Sequence, residues 1–136
     1  MTTTRDRVMD AALRLFAEQG YDTTPVGEIE RAAGLAPRAG GFYRHFPSKE
    51  AVLEAVLARE VESLGTYGDL QRLLPLGDRR AELALLCRGA LAELDRKTLL
   101  LRVLMRDGDR LPALVRRAKA EWIEPSYAAV TRAVAA

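Results

Sequence analysis

The sequence predicts an all-α protein, and three observations support this fold class. Apolar residues recur at intervals of three and four through most of the 136 residues, the spacing of one helix face. No stretch alternates apolar and polar residues as a half-buried strand does. Threonine, serine, aspartate, glycine and proline stand where these apolar patterns begin and end, as they do at helix termini.

Two helices are predicted in the first quarter of the chain. The first covers about residues 5–19, follows a run of threonines that can cap it, and ends at Gly20. The second has Thr24 as its N-cap and Pro25 as its first helical residue, where the fixed φ of proline is favourable. Gly34 ends it after about nine residues.

A third, short helix is predicted in APRAGGFYRHF, residues 36–46, with Phe42 and Phe46 on its inner face. Three short helices with a tight turn before the third outline a helix-turn-helix. We therefore interpret the third helix as the one that enters the major groove. A fourth helix follows, with Ser48 as its N-cap, and extends to about Leu64.

The outward face of the predicted third helix suits DNA. At about 100° per residue, Gly40, Gly41 and Arg44 lie opposite the two phenylalanines, and bare glycine backbone permits close approach to DNA. The alternative is that the glycines only loosen a turn. Residues 36–49 carry three positive charges, one histidine and no acid, a pattern that favours phosphate contact. Lys49 opposes the dipole of the fourth helix, so bound phosphate explains it better than stability does.

Helical patterns continue in the second half, after a glycine- and proline-bearing connection at residues 65–77. Asp78 is the predicted N-cap of a fifth helix with a regular apolar stripe. The stretch KTLLLRVLM, residues 97–105, is apolar on nearly all sides and predicts a buried central helix. A last helical region must end or kink at Pro125.

Amphipathic helices of this kind can enclose an apolar pocket for a small molecule. The candidates for its lining are Leu101, Arg102, Met105, Trp122 and Tyr127. The alternative for the apolar candidates is ordinary core packing. The arginine could face an acidic ligand or pair with a nearby glutamate.

Composition narrows the functional class. The chain is 49% apolar and 29% charged, as globular proteins are, and its net charge of +2 identifies no partner. The lone Cys87 cannot form an internal disulfide, lacks zinc-ligand spacing and is expected to be buried. No metal or cofactor is predicted, and no nucleophile with a nearby base or phosphate-binding loop indicates an enzyme. Without a signal-peptide pattern or membrane-spanning run, we expect a cytoplasmic protein with no membrane partner.

Residues 5–57 resemble the DNA-binding domain of the TetR (tetracycline-repressor) family of transcriptional regulators. The resemblance lies in AALRLFAEQGYDTTPVGEIERAAGL and in FYRHFPSKEAVLEAVL. It implies a homodimer, usually a repressor, that binds a palindromic operator in double-stranded DNA. It also implies a homeodomain-like three-helix bundle, joined by a fourth helix to a variable helical domain that binds a small-molecule effector and dimerises.

The resemblance assigns two roles in DNA binding. Phosphate contacts are implied for Thr24, Tyr43, His45 and Lys49. Arg44 falls where the family often faces the groove, and Arg38 lies near the start of the third helix. Because arginine can pair with both guanine acceptors, we expect Arg44, and after it Arg38, to contact bases. Gly40 and Gly41 complete the predicted DNA-binding set.

Two features depart from the family pattern. About two extra residues precede Tyr43, so either the turn is longer or the third helix starts earlier, with Pro37 first. The direction of Arg38 stays open for that reason. The chain also ends at Ala136, about where the helix before the family's dimerising pair ends. We therefore expect a C-terminal domain without its last helices and a chain too short for the family's dimer interface.

The predicted domains are residues 1–49, a helix-turn-helix DNA-binding domain, and residues 50–136, a helical effector-binding and dimerisation domain. The favoured function is a sequence-specific regulator, a repressor that a small-molecule effector releases from its operator. The alternative is a helical DNA-binding or protein-interaction module without small-molecule control.

Overall fold

The computed structural model describes residues 1–63, 72 and 74–135, and these contain helices, turns and loops but no strand. The all-α prediction is confirmed. The α-helices are α1 (Thr4–Gln19), α2 (Val26–Ala32), α3 (Lys49–Ser63), α4 (Arg79–Arg96), α5 (Thr98–Asp107), α6 (Pro112–Ala118) and α7 (Glu124–Ala135). A 3₁₀ turn, Gly108–Arg110, joins α5 to α6, and a π-helical turn, Lys119–Ile123, joins α6 to α7. Most of the predicted 65–77 connection lies outside the described residues.

Helix α1 begins and ends as its sequence predicts. The Thr3 hydroxyl accepts a hydrogen bond from the Asp6 amide at 3.1 Å, and the Asp6 carboxylate accepts one from the Thr3 amide at 3.1 Å. This capping box satisfies two amides at the helix end. The Thr3 hydroxyl also donates to the Asp6 carboxylate at 2.8 Å, and this bond, together with the one from the Thr3 amide, holds the pKa of Asp6 below its ordinary value. Gly20 follows the helix with φ +104°, a conformation open to glycine.

Helix α2 begins later than predicted. Pro25 is its N-cap rather than its first residue, and no side chain caps it. Thr24 is buried, and its hydroxyl donates to the Gly20 carbonyl at 2.7 Å. The predicted N-cap at Thr24 is therefore wrong, because this hydroxyl closes the loop against the end of α1 instead of bonding to an α2 amide.

One apolar core connects the two halves of the chain. Helix α1 packs against α2, α3 and α5, so the N-terminal bundle rests directly on the later helices. The buried cluster extends from Phe16 and Phe42 through Leu57 to Leu100 and Trp122. The domain boundary predicted between residues 49 and 50 stays a prediction. Helix α3 begins at Lys49, and the apolar core contains residues from both sides of this point.

Helix α4 forms as predicted, but its apolar stripe is not a core face. The Asp78 side chain caps it by accepting from the amides of Arg80 and Ala81. Within the described helix α4, Leu86 is the one residue of the apolar stripe that is buried. The side chain of the next residue, Cys87, is exposed. The predicted burial of Cys87 is wrong; among the described residues, α4 makes its main contacts with α5 and α7, and Cys87 lies outside them.

The later helices also differ from the sequence prediction. Helix α5 buries Leu100 and Val103, but Met105 is 86% exposed, so the helix is amphipathic rather than buried on all sides. The chain stays helical through Pro125, which lies in α7. Because proline has no N–H to donate, the wide π-helical turn before it accommodates the missing bond. No described helix is long and apolar enough to span a membrane.

Candidate nucleic-acid interface

The predicted third helix does not form as a continuous helix. Residues 36–46, called here the recognition segment, are a series of turns. Two of its amides bond at helical spacing, from Arg44 to the Gly40 carbonyl at 3.2 Å and from Phe46 to the Phe42 carbonyl at 3.0 Å. Left-handed φ angles at Arg38 (+63°) and Gly40 (+79°) prevent a regular helix before that last turn.

The two adjacent glycines each have a structural explanation. Gly40 needs its left-handed conformation, although a Cβ there would meet nothing within 4 Å. A Cβ on Gly41 would lie 3.1 Å from Cδ1 of Leu35, too close for easy packing. The turn alternative thus accounts for both residues without DNA, and their approach to DNA stays a prediction.

The recognition segment separates apolar from charged side chains. Phe42 and Phe46 are buried, so the predicted inner face is confirmed. The side chains of Arg38, Arg44 and His45 are exposed. Tyr43 is 60% exposed, with its ring edge against Phe42 at a centroid distance of 5.2 Å. The structure therefore brings four of the predicted DNA-binding residues to the surface of one short segment.

Thr24 is not available to DNA in this structure. Its side chain is fully buried, and its hydroxyl bonds to the Gly20 carbonyl within the protein. A phosphate would need that hydroxyl at the surface. The predicted phosphate contact from Thr24 is therefore corrected to a structural role at the end of α1.

Lys49 has protein partners that the sequence did not reveal. Its Nζ donates to the carbonyls of Tyr21 at 2.7 Å and Thr24 at 3.0 Å. It also lies 4.8 Å from the centroid of the Tyr21 ring. The argument that phosphate explains this lysine better than stability is wrong, because the ammonium group fastens the start of α3 to the α1–α2 loop.

A surface groove runs beside the recognition segment. It has a volume of about 520 Å³ and lies between residues 21–26 and residues 43–49. Hydroxyl-bearing side chains from both sides line it, including Thr23, Tyr43 and Ser48. Oxygen and nitrogen donors from two separate loops thus converge on one open surface, as a phosphate-binding surface requires.

Glu30 is a member of the site that the sequence analysis missed. It lies in α2, its side chain is buried, and its carboxylate accepts hydrogen bonds from the amides of Arg38 and Phe42. Its bonds reach 8 and 12 residues along the chain, which helical periodicity cannot predict.

The second predicted site is divided by the structure. Leu101, Trp122 and Tyr127 line an apolar pocket of about 400 Å³ between α4, α5 and the π-turn with α7. Arg102 and Met105 line a neighbouring open groove of about 620 Å³ on α4 and α5. Both side chains are exposed, so their predicted place in the same pocket is wrong. Arg102 lies about 100° around α5 from Leu101, and Met105 lies one turn further along the helix, in the neighbouring groove that Leu101 also lines.

A buried ion cluster underlies the apolar pocket. Lys97 is 1% exposed, and its Nζ lies 3.0 Å from Glu93 Oε2 and 3.5 Å from Glu60 Oε2. It also donates to the Glu60 carbonyl at 3.1 Å and lies 5.7 Å from the Trp122 ring centroid. Burial lowers the pKa of Lys97, and the attraction of Glu60 opposes that shift. The cluster therefore joins the end of α3 to a wall of the pocket.

The α1–α2 loop is also held by the C-terminal end of α5. The Tyr21 amide donates to Asp107 Oδ2 at 3.2 Å, and Arg106 donates to the Gln19 carbonyl at 3.2 Å. An ion pair joins Arg110 to Asp22. The helix that forms one wall of the pocket thus contacts the loop beside the candidate DNA surface.

Bacterial regulatory proteins resemble this chain in sequence and in fold. Residues 8–56 match the family model described as "Bacterial regulatory proteins, tetR family", and one of the fold neighbours below is described as a TetR-family regulator. Over these residues the chain is therefore similar to regulators of the tetR family. The match includes α1, α2, the recognition segment and the first half of α3.

Two curated transcriptional regulators are similar in sequence to part of this chain. The HTH-type transcriptional repressor KstR2 of Rhodococcus jostii is 36% identical over 80 residues, which is 58% of this chain and 37% of that protein. The HTH-type transcriptional regulator AcrR of Shigella flexneri is 37% identical over 62 residues, which is 46% of this chain and 28% of that protein. The chain therefore spans about a third of the length of these curated relatives.

Solved structures match more of the chain. A TetR-family regulator from Mesorhizobium loti superposes with a TM-score of 0.75 and 25% identity, covering 96% of this chain and 66% of that one. The flavonoid-responsive regulator FrrA superposes with a TM-score of 0.63 and 30% identity, covering 90% of this chain and 62% of that one. Both comparisons extend the similarity beyond the DNA-binding bundle into the later helices.

Proposed function

We propose that this chain is a sequence-specific DNA-binding transcriptional regulator, a repressor that a small-molecule effector releases from its operator. The observation that carries the proposal is the recognition segment, which exposes Arg38, Tyr43, Arg44 and His45 while burying its two phenylalanines. The match of residues 8–56 to the tetR family model supports it, as does the description of relatives such as KstR2 as transcriptional repressors. This family consists of regulators rather than enzymes.

Two kinds of DNA contact are proposed for these side chains. Tyr43 lines the groove beside α3, and the exposed His45 follows it two residues later in the chain. Both side chains are proposed to contact phosphate oxygens. Lys49 uses two of its three ammonium donors within the protein, so its phosphate contact is limited to the third. Arg44, and after it Arg38, pair with guanine in the major groove.

The proposed effector site is the apolar pocket between α4, α5 and α7. A volume of about 400 Å³ suits a small, largely apolar molecule, and aromatic side chains from Trp122 and Tyr127 contribute to its wall. The structural relative FrrA is named a flavonoid-responsive regulator, which supports an effector of that general character. The contacts of Lys97 with Glu60 and of Asp107 with Tyr21 connect this region to the DNA-binding bundle.

Members of this family typically act as dimers, and a palindromic operator would match a two-fold dimer. Exposed apolar side chains on α4 and α7 support a protein contact on that side of the molecule: Leu91, Leu94, Tyr127, Val130 and Val134. The same surface favours a second candidate function, a DNA-binding and protein-interaction module that responds to no small molecule.

Selection from a random duplex DNA pool at about 0.15 M salt tests the DNA-binding proposal, because that salt screens weak phosphate-only binding. Recovery of an inverted repeat would support a dimeric sequence-specific regulator. Recovery of a single half-site would support sequence recognition but contradict dimeric binding by this chain. A pool that stays random after selection would contradict sequence-specific binding by this chain.

Thermal unfolding with a panel of small apolar compounds tests the effector proposal. A compound at 100 times its dissociation constant stabilises the folded state by about 2.7 kcal/mol. The expected effector raises the melting temperature and also lowers the affinity for the selected DNA. A compound that raises the melting temperature without changing DNA affinity is a ligand but not an effector. A panel without any shift would favour the module without small-molecule control.

A further inference from the structure

Glu30 makes an unusual set of contacts for a charged side chain on a short helix. It is 1% exposed, and its Oε2 accepts from the Arg38 amide at 2.8 Å while its Oε1 accepts from the Phe42 amide at 3.1 Å. Its own carbonyl accepts from the Leu35 amide at 2.8 Å. One residue of α2 therefore receives three backbone amides from the turn and the recognition segment.

These bonds act where the recognition segment has little other support. Before Gly40 the segment has a long turn bond from the Ala39 amide to the Ala36 carbonyl at 3.4 Å, and Arg38 has a left-handed φ of +63°. Such a conformation is unfavourable for any residue other than glycine, so it persists only where surrounding contacts impose it. The amide of Arg38 is one of the two that the Glu30 carboxylate binds. Bonds from backbone N–H groups to a carboxylate are charge-assisted and therefore strong.

The second amide determines the direction of the side chains proposed to contact DNA. Phe42 is held by Glu30 through its amide and by the core through its ring. Tyr43 and Arg44 follow directly in the chain, so their backbone starts from a residue fixed at both points. A displacement of Phe42 would move both exposed side chains relative to α2.

We infer that Glu30 is a positioning residue for DNA recognition. It lies inside the protein and contacts no base or phosphate, but its carboxylate fixes the recognition segment on α2 and so sets the sequence preference of Arg38 and Arg44. This inference rests on the proposed DNA-binding function.

Glu30→Gln is the decisive variant, with Glu28→Gln as its matched control. Both remove one negative charge from α2, but Glu28 is partly exposed and lies two residues earlier on the helix. Loss of an acid beside a basic surface should strengthen binding to every DNA sequence. Glutamine at position 30 has one acceptor oxygen in place of two, so one of the two amides loses its partner.

The expected result separates positioning from electrostatics. At a temperature where all proteins are folded, Glu30→Gln should bind the selected DNA about tenfold more weakly. Glu30→Gln should bind unrelated duplex DNA at least as tightly as wild type does. Glu28→Gln should bind both the selected and the unrelated DNA at least as tightly as wild type does. Equal or tighter binding of the selected DNA by Glu30→Gln would overturn the inference.

Amide hydrogen exchange gives a readout that does not depend on DNA. In Glu30→Gln, the Arg38 or Phe42 amide should exchange at least about tenfold faster than in wild type. The Ala33 amide serves as the internal reference, because it bonds to the Ile29 carbonyl and not to Glu30. Unchanged exchange of both would refute the proposed contacts. If Glu30→Gln does not fold, Glu30→Asp replaces it, because it keeps the charge but is too short to reach both amides.

Failure of the inference is distinguishable from failure of the proposed function. If wild type selects no DNA sequence at about 0.15 M salt, sequence-specific binding fails, and the DNA role of Glu30 fails with it. Hydrogen exchange then still shows whether the carboxylate holds the segment. If wild type selects a sequence and Glu30→Gln keeps the same preference and affinity, only the inference about Glu30 fails.

Discussion

Replacing Lys49 by methionine tests whether this residue stabilises the fold. Its ammonium group donates to the carbonyls of Tyr21 at 2.7 Å and Thr24 at 3.0 Å and lies over the Tyr21 ring. Methionine keeps a long apolar side chain but donates no hydrogen bond. The variant therefore removes the attachment between α3 and the α1–α2 loop while it preserves most of the packing.

The expected loss of stability follows from those contacts. A hydrogen bond from a charged group contributes about 1.5–3 kcal/mol, and a cation–π contact at an exposed site contributes about 0.5–1 kcal/mol. Lys49 is only partly buried, so water can replace part of what the two carbonyls lose. We therefore expect Lys49→Met to lower the free energy of unfolding by about 2 kcal/mol, less than the two hydrogen bonds and the cation–π contact would sum to in a buried site.

Urea unfolding without DNA measures this effect directly. With a denaturant slope of about 2 kcal/mol per molar, a loss of about 2 kcal/mol lowers the midpoint by about 1 M at an unchanged slope. Arg44→Met is the control, since it removes an exposed cation from the same surface and should change stability by less than about 0.5 kcal/mol. A Lys49→Met midpoint equal to that of the control, combined with weak DNA binding, would refute a structural role for Lys49.

Three further predictions concern the DNA surface, the turn and the buried ion cluster. Arg44→Ala should lose about 1–3 kcal/mol of binding at one base position, whereas Tyr43→Phe should weaken all sequences alike; selection with each variant would reveal the difference. Gly40→Ala should destabilise the protein by about 1–2 kcal/mol in thermal unfolding, because φ is +79° there, and a stability equal to wild type would contradict that φ. Lys97→Met should cost about 3–5 kcal/mol, since it removes the buried cation beside Glu60 and Oε2 of Glu93 while Arg96 pairs only with the other Glu93 oxygen, and a smaller loss in Lys97→Met with Glu93→Gln would confirm that cause. Folding lowers the pKa of Lys97 from its ordinary value of 10.5, so between the folded-state and unfolded-state pKa values the unfolded chain binds more protons. The free energy of unfolding should therefore rise with pH in this interval. Unfolding measured across this pH range should show the rise in wild type but not in Lys97→Met.

Features that depend on neighbours within a few residues were predictable from the sequence. The caps at Thr3, Ser48 and Asp78 all bond to amides two or three residues away, and each begins a helix where the pattern predicts one. The inward direction of Phe42 and Phe46 follows from their spacing of four residues. These local rules were enough to predict the fold class and the exposed cations of the recognition segment.

Tertiary structure decided the features whose partners are distant in sequence. Lys49 bonds to carbonyls 25 and 28 residues earlier, and Glu30 bonds to amides 8 and 12 residues later. The buried hydroxyl of Thr24 and the exposed side chain of Cys87 depend on which helices cover them. No local pattern contains this information.

The sequence by itself determined where α1, α3 and α4 begin, that Phe42 and Phe46 face inward and that a basic segment precedes α3, because a side chain's spacing and its nearest backbone partners are local. Only the tertiary structure decided that the recognition segment is a series of turns rather than a helix. A buried carboxylate from another helix supplies acceptors for its amides, and left-handed residues become possible where such contacts outweigh their strain.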